Sequence, residues 1–235
     1  MLANRRQAGF SLIELLISLV ISMVVVLGTT NLYIAIVQNT KSVNERNRLT
    51  DEVRAVTGTL ARDLRRAGYW EANMGVDDIW DNPFTASGTT DLSLSKFTGE
   101  ADDSCVLYSY DLNTDGLVGD PNDPSDRSER YGFRLNDMAI EVFRDGNYAC
   151  DDGTWEEVTT PEVSITQFAF ALAEDCFDIT TETAATCPCT SGNACQHIRR
   201  VDISLQAELT NNSNVTEFFS ESVKVRNDKF VLSVP

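Results

Sequence analysis

The sequence predicts an α+β protein in which one long N-terminal helix is followed by an antiparallel β-sheet. Three observations carry that prediction. An apolar run from Phe10 to Val37 passes directly into a polar stretch whose apolar residues recur every three or four positions. No proline interrupts the chain before Pro83. Beyond that point, short β-branched or aromatic segments alternate with turn-forming residues.

Composition narrows the function classes before any motif is read. Of 235 residues, 42% are hydrophobic, which is ordinary for a chain that buries a core. Acids outnumber bases 36 to 19, giving a formal net charge of −17. Nucleic-acid phosphates are held by clustered Lys and Arg, so a direct nucleic-acid partner is not expected. An acidic surface keeps an exported protein soluble, and acidic loops also bind divalent cations.

Met1 to Gly9 form a short polar head carrying Arg5 and Arg6. The apolar run that follows is broken only by Glu14, by small or hydroxyl residues and by Asn31. It exceeds the roughly 20 residues a helix needs to cross a bilayer. An ordinary secretory signal would be cut after such a run, at small residues, and no convincing site follows this one. The next base after the arginines is Lys41, so the head is expected in the cytoplasm and the remainder outside. A carboxylate within a spanning segment costs about 2.5 to 3.5 kcal/mol on insertion scales and marks function, which singles out Glu14.

The residues Gly9-Phe10-Ser11-Leu12-Ile13-Glu14-Leu15 resemble the processing site of type IV prepilins. That resemblance implies a leader spanning 1–9, cleavage between Gly9 and Phe10 by a prepilin peptidase, and methylation of the new amino group of Phe10. It also implies that Glu14 neutralises the terminal amine of a neighbouring subunit during assembly. Gly28-Thr29-Thr30 is a place where the helix could bend or melt, although small residues are also simply tolerated there.

From Gln38 the stripe Val43, Leu49, Val53, Val56, Leu60, Leu64 and Ala67 describes an amphipathic helix. One helix from about Phe10 to Ala67 would be about 85 Å long at 1.5 Å per residue, with Gly68 ending it. Its segment 10–37 belongs to a membrane or filament core, and 38–70 packs on an exterior domain, 71–235. Strands are expected at Cys105–Tyr110, Arg130–Leu135, Met138–Phe143, Thr154–Thr159, Val163–Leu172, Arg200–Leu209 and Val215–Val225. In the sixth of these, Val201, Ile203, Leu205, Ala207 and Leu209 alternate with polar residues, as a half-covered sheet requires. Glu71–Asp103 and Ala173–Gln196 read as long loops.

Leu60-Ala61-Arg62-Asp63-Leu64-Arg65-Arg66-Ala67-Gly68-Tyr69 and Val223-Lys224-Val225-Arg226-Asn227 resemble PilW-like minor pilins and the J-type pseudopilins of type II secretion. The expected role is therefore a minor structural subunit that primes a type IV pilus or sits near its tip. Its partners would be other major and minor pilins, the prepilin peptidase and the inner-membrane assembly platform. The expected location is the inner membrane, single-pass with the C-terminal domain in the periplasm, and then the pilus at the cell surface. A secretion pseudopilin and a filament-presented adhesin or ligand-binding module are the alternatives.

Two clusters could carry further chemistry. Asp111, Asn113, Asp115 and Gly116 begin like a calcium loop, with Leu117 also among the expected ligands and Asp120 and Asp123 as substitutes because Asn122 occupies the twelfth position. A solvated acidic turn is the alternative. Six cysteines, Cys105, Cys150, Cys176, Cys187, Cys189 and Cys195, point to disulfides in an oxidising compartment. Cys187, Cys189, Cys195 and His197 could instead be imagined around zinc. Cys105 is expected to pair with Cys150, and the other four within their loop. No nucleophile elbow, phosphate loop or metalloprotease helix occurs, so catalysis is not expected.

Overall fold

A computed structural model describes residues 9–71, 79–86, 88, 90–119, 129–190 and 192–232. The leader residues 1–8 lie outside these. The chain divides into two compact units at Asn47–Arg48.

Helix α1, Leu12–Leu64, is 53 residues long and continues through Gly28–Thr30 without a break. In this apolar stretch the threonine hydroxyls find their acceptors on the helix itself. Thr29 Oγ1 donates to the carbonyls of Val25 and Val26, each at 3.0 Å, and Thr30 Oγ1 donates to Val26 at 2.7 Å. The helix stops three residues before Ala67, because its last amides switch to tighter bonds. The Arg66 amide donates to Asp63 and that of Ala67 to Leu64. Gly68 then adopts φ +71°, and a Cβ there would stand 2.9 Å from Thr85 Cγ2, so the turn is reserved for glycine.

In the first unit, apolar side chains point outward all round the helix; Phe10 is 86% exposed and Leu19 60%. Val43, expected in the core stripe, is also exposed.

The second unit holds the rest of the stripe. Leu49, Val53, Val56, Leu60 and Leu64 form one core with Tyr108, Phe133, Ile140, Phe168, Ile203 and Leu205. The strands divide, among the described residues, into two five-stranded sheets. The first is a meander of β1 Ser93–Ser95, β2 Cys105–Ser109, β3 Arg130–Asn136, β4 Ala139–Asp145 and β5 Thr154–Glu157. The second is built on two 16-residue strands, β6 Val163–Asp178 and β8 Ala194–Leu209. To it belong β7 Thr183–Ala185 on β6, and β9 Asn212–Lys224 and β10 Lys229–Leu232 on β8. All pairings are antiparallel.

Both expected loops contain strand. β1 lies within 71–103, while β6 and β8 extend into 173–196. In the second case the signal was masked by composition. Pairs such as Glu174 with Arg199 and Asp175 with Ile198 continue the ladder without a clean apolar alternation. Disulfides Cys176–Cys187 and Cys189–Cys195 hold the same end.

Candidate functional site

At the head of α1, Ser11 precedes the first helical residue and Glu14 is the third. Glu14 Oε2 accepts the backbone amide of Ser11 at 3.0 Å, one arm of a capping box. The carboxylate is thus held in the positive first turn of the helix. Ser11 was not among the expected site residues, although its S-x-x-E spacing was there to be read. Gly9 is open on all sides, and a Cβ at that position would meet nothing within 4 Å. The structure therefore presents Gly9, Phe10 and Glu14 on one exposed segment.

The two stretches that resembled minor pilins meet in space. The Arg226 amide donates to the Arg65 carbonyl at 3.2 Å, and Asn227 Nδ2 donates to the carbonyls of Arg66 at 3.1 Å and Ala67 at 3.2 Å. Arg65 also pairs with Glu221 at 2.9 Å. Asn227 thus ties down the turn that follows the helix, where the Arg66 carbonyl also accepts the Tyr69 amide at 2.8 Å. Beneath this joint, buried Arg199 and half-buried Lys229 both grip Asp91.

The acidic loop follows β2. Asp111 is buried; its Oδ1 accepts the Thr114 amide at 2.6 Å, and its Oδ2 accepts those of Gly116 and Glu71, each at 3.1 Å. Asn113 Oδ1 accepts the Asp115 amide at 3.0 Å, while Asp115 Oδ1 accepts the Leu117 amide and its Oδ2 accepts from Asn113 Nδ2, each at 2.8 Å. Among the described residues, every expected side-chain oxygen thus also accepts a hydrogen bond within the loop. Leu117 lies in the loop with its side chain exposed, and Asp120 lies outside the described residues. The structure adds a residue that the linear motif missed. Glu129 places a carboxylate oxygen within 4.8 Å of oxygens of Asp111 and Asp115. Burial raises its carboxyl pKa, and both aspartates push the same way.

Cys105 is joined to Cys150, Cys176 to Cys187 and Cys189 to Cys195. The thiolates that a zinc site needs are consumed, and His197 instead faces Glu174 at 3.4 Å.

A membrane-length apolar helix headed by a processing motif, carrying a disulfide-bonded domain of helix and antiparallel sheets, defines a type IV pilin-like protein of the minor-subunit kind. Residues 4–30 match the prokaryotic N-terminal methylation motif. Residues 42–225 match the family described as prepilin peptidase-dependent protein B, and the chain belongs to that family. It is similar to the prepilin peptidase-dependent protein B of Escherichia coli (strain K12), with 29% identity over 160 residues, covering 68% of this chain and 74% of that protein. No solved structure matches. The family is one of pilin-like structural proteins rather than enzymes.

Proposed function

We propose that the protein is a minor pilin, cut after Gly9, methylated at Phe10 and incorporated into a type IV pilus, where it helps to start assembly near the tip. The observation that carries this reading is the exposed apolar surface of α1 together with the carboxylate at its head. Each fully buried Leu, Ile, Val or Phe gains roughly 1.5 to 3 kcal/mol, so the surface from Phe10 to Val37 favours lipid first and neighbouring helices afterwards. Glu14 supplies register. Once cleavage frees an amine at Phe10, a subunit whose amine reaches the Glu14 of its neighbour replaces a desolvated lone charge with a pair. The exterior unit then stands in the periplasm and later on the pilus, where its three disulfides persist.

Glu14→Ala tests the pairing. Membrane insertion and cleavage should be retained, while the amount recovered in sheared filaments falls about tenfold, the effect of losing roughly 1.4 kcal/mol of pairing. Undiminished recovery would sink the mechanism. Intact-mass analysis of the native protein tests the processing directly, since the cut and methylated chain must begin at Phe10.

A further inference from the structure

Strand register places Glu129 opposite Tyr110, the residue before Asp111. Ser109 and Arg130 form the last pair of β2 and β3, and the Tyr110 amide donates to the Glu129 carbonyl at 3.2 Å. The Glu129 side chain is fully buried. Its Oε1 is held by the amides of Leu112 at 2.6 Å and Asn113 at 3.1 Å. Its Oε2 is buried and has no hydrogen-bond partner among the described residues. An anionic oxygen without a donor is costly to bury, and Asp111 and Asp115 each bring a carboxylate oxygen within 4.8 Å of one of this same carboxylate's oxygens. Like charges so close call for a cation.

All three side chains offer hard oxygen ligands, which select calcium or magnesium over thiol- and imidazole-seeking metals. The loop geometry favours calcium. Gly116 at φ +77° makes the sharp turn after Asp115, and calcium tolerates a shell completed by carbonyls and water. We infer that Asp111, Asp115 and Glu129 form a calcium site in which Glu129 supplies the carboxylate that Asn122 cannot. The loop and the residue that leads into β3 thereby close on one ion. Because Asp111 also accepts the Glu71 amide, and its own amide donates to the Tyr69 carbonyl at 3.0 Å, the ion also braces the chain leaving α1.

Equilibrium dialysis of the full-length protein in detergent micelles against radioactive calcium, beside a micelle blank, tests the site. One ion per chain is expected, with a dissociation constant of about 10⁻⁴ to 10⁻³ M, the range of extracellular calcium modules. Magnesium at the same concentration should compete weakly. Asp115→Asn, at an exposed position, should weaken binding at least tenfold. Glu129→Gln should abolish it, raise the melting temperature of the calcium-free protein, and remove the rise in melting temperature that calcium produces in the parent. No uptake above the blank, or uptake unchanged in both variants, overturns the proposal. So does a Glu129→Gln protein that melts lower with and without calcium alike while Asp115→Asn still binds as the parent does.

Discussion

Leu19 and Leu60 are the same residue type on the same helix, yet Leu19 is 60% exposed and Leu60 is fully buried. The unit ending at Asn47 turns its apolar groups outward, and none of those from Phe10 to Val37 is covered within the chain. The unit from Arg48 onward closes on itself, with a helix stripe, two sheets and three disulfides around one main core. Hydrophobicity alone does not separate them. The difference lies in periodicity. An apolar surface all round a helix has to be completed by lipid or by other molecules, whereas a stripe is completed by the chain that carries it.

The sharpest break between the two units concerns processing. Gly9→Val leaves the folded chain untouched, because a Cβ at that position meets nothing within 4 Å, yet it should abolish removal of the leader. Intact mass would then retain Met1 to Gly9 while thermal unfolding stays unchanged. Next comes the covalent brace of the second unit. Replacing Cys105 and Cys150 together by alanine should cost about 4 kcal/mol in the loop-entropy model, given a sequence separation of 45, against about 2 kcal/mol for Cys189 and Cys195, separated by 6. Denaturant unfolding in micelles checks that order.

A matched pair of substitutions comes third. Leu60→Ala should destabilise the second unit by about 2 to 5 kcal/mol, whereas Leu19→Ala should change its unfolding by less than about 0.5 kcal/mol. Similar losses at both positions would mean that the two units do not draw on separate sources of stability. The smallest effect is one of charge. Burial raises the pKa of Asp63 above its ordinary 3.8, while Arg66 and Arg62 pull it down. A carboxyl with a raised folded pKa stabilises the protonated native state, so its stabilising effect is present below 3.8 and is lost as pH rises through the folded value. Asp63→Asn should therefore raise the melting temperature at neutral pH, with the gain shrinking to nothing in acid. A gain that is constant with pH would point to packing instead.

Much of this architecture was legible because it is written locally. The processing motif, the spanning run, the stripe from Leu49 to Ala67 and the alternation from Val201 to Leu209 each depend on residues a few positions apart. The glycine stop at Gly68 was visible for the same reason. Misreadings cluster where a distant partner decides. Ala173 to Asp178 lacks a strand's apolar rhythm, and its strand state comes from pairing with residues 195–200 of β8 and from the Cys176–Cys187 bond. Val43 fits the stripe by spacing, but it falls in the unit where the helix has nothing to pack on.

The acidic loop shows the same division within one site. Asp111 and Asp115 could be selected from their spacing and from the glycine that follows. Glu129 could not, because only the β2–β3 register brings it opposite Tyr110 and so within reach of the acidic loop.

The sequence by itself determined the pilin-like class, the membrane-length apolar helix and the layout of helix before sheet, since these rest on hydropathy, period and a short contiguous motif. Tertiary structure alone decided that the strands form two sheets, that Asn227 ties down the turn that follows α1, and that Glu129 joins the acidic loop. Each of those outcomes depends on which distant backbone segments pair, and pairing is chosen by the packing of the whole core rather than by any one stretch of the chain.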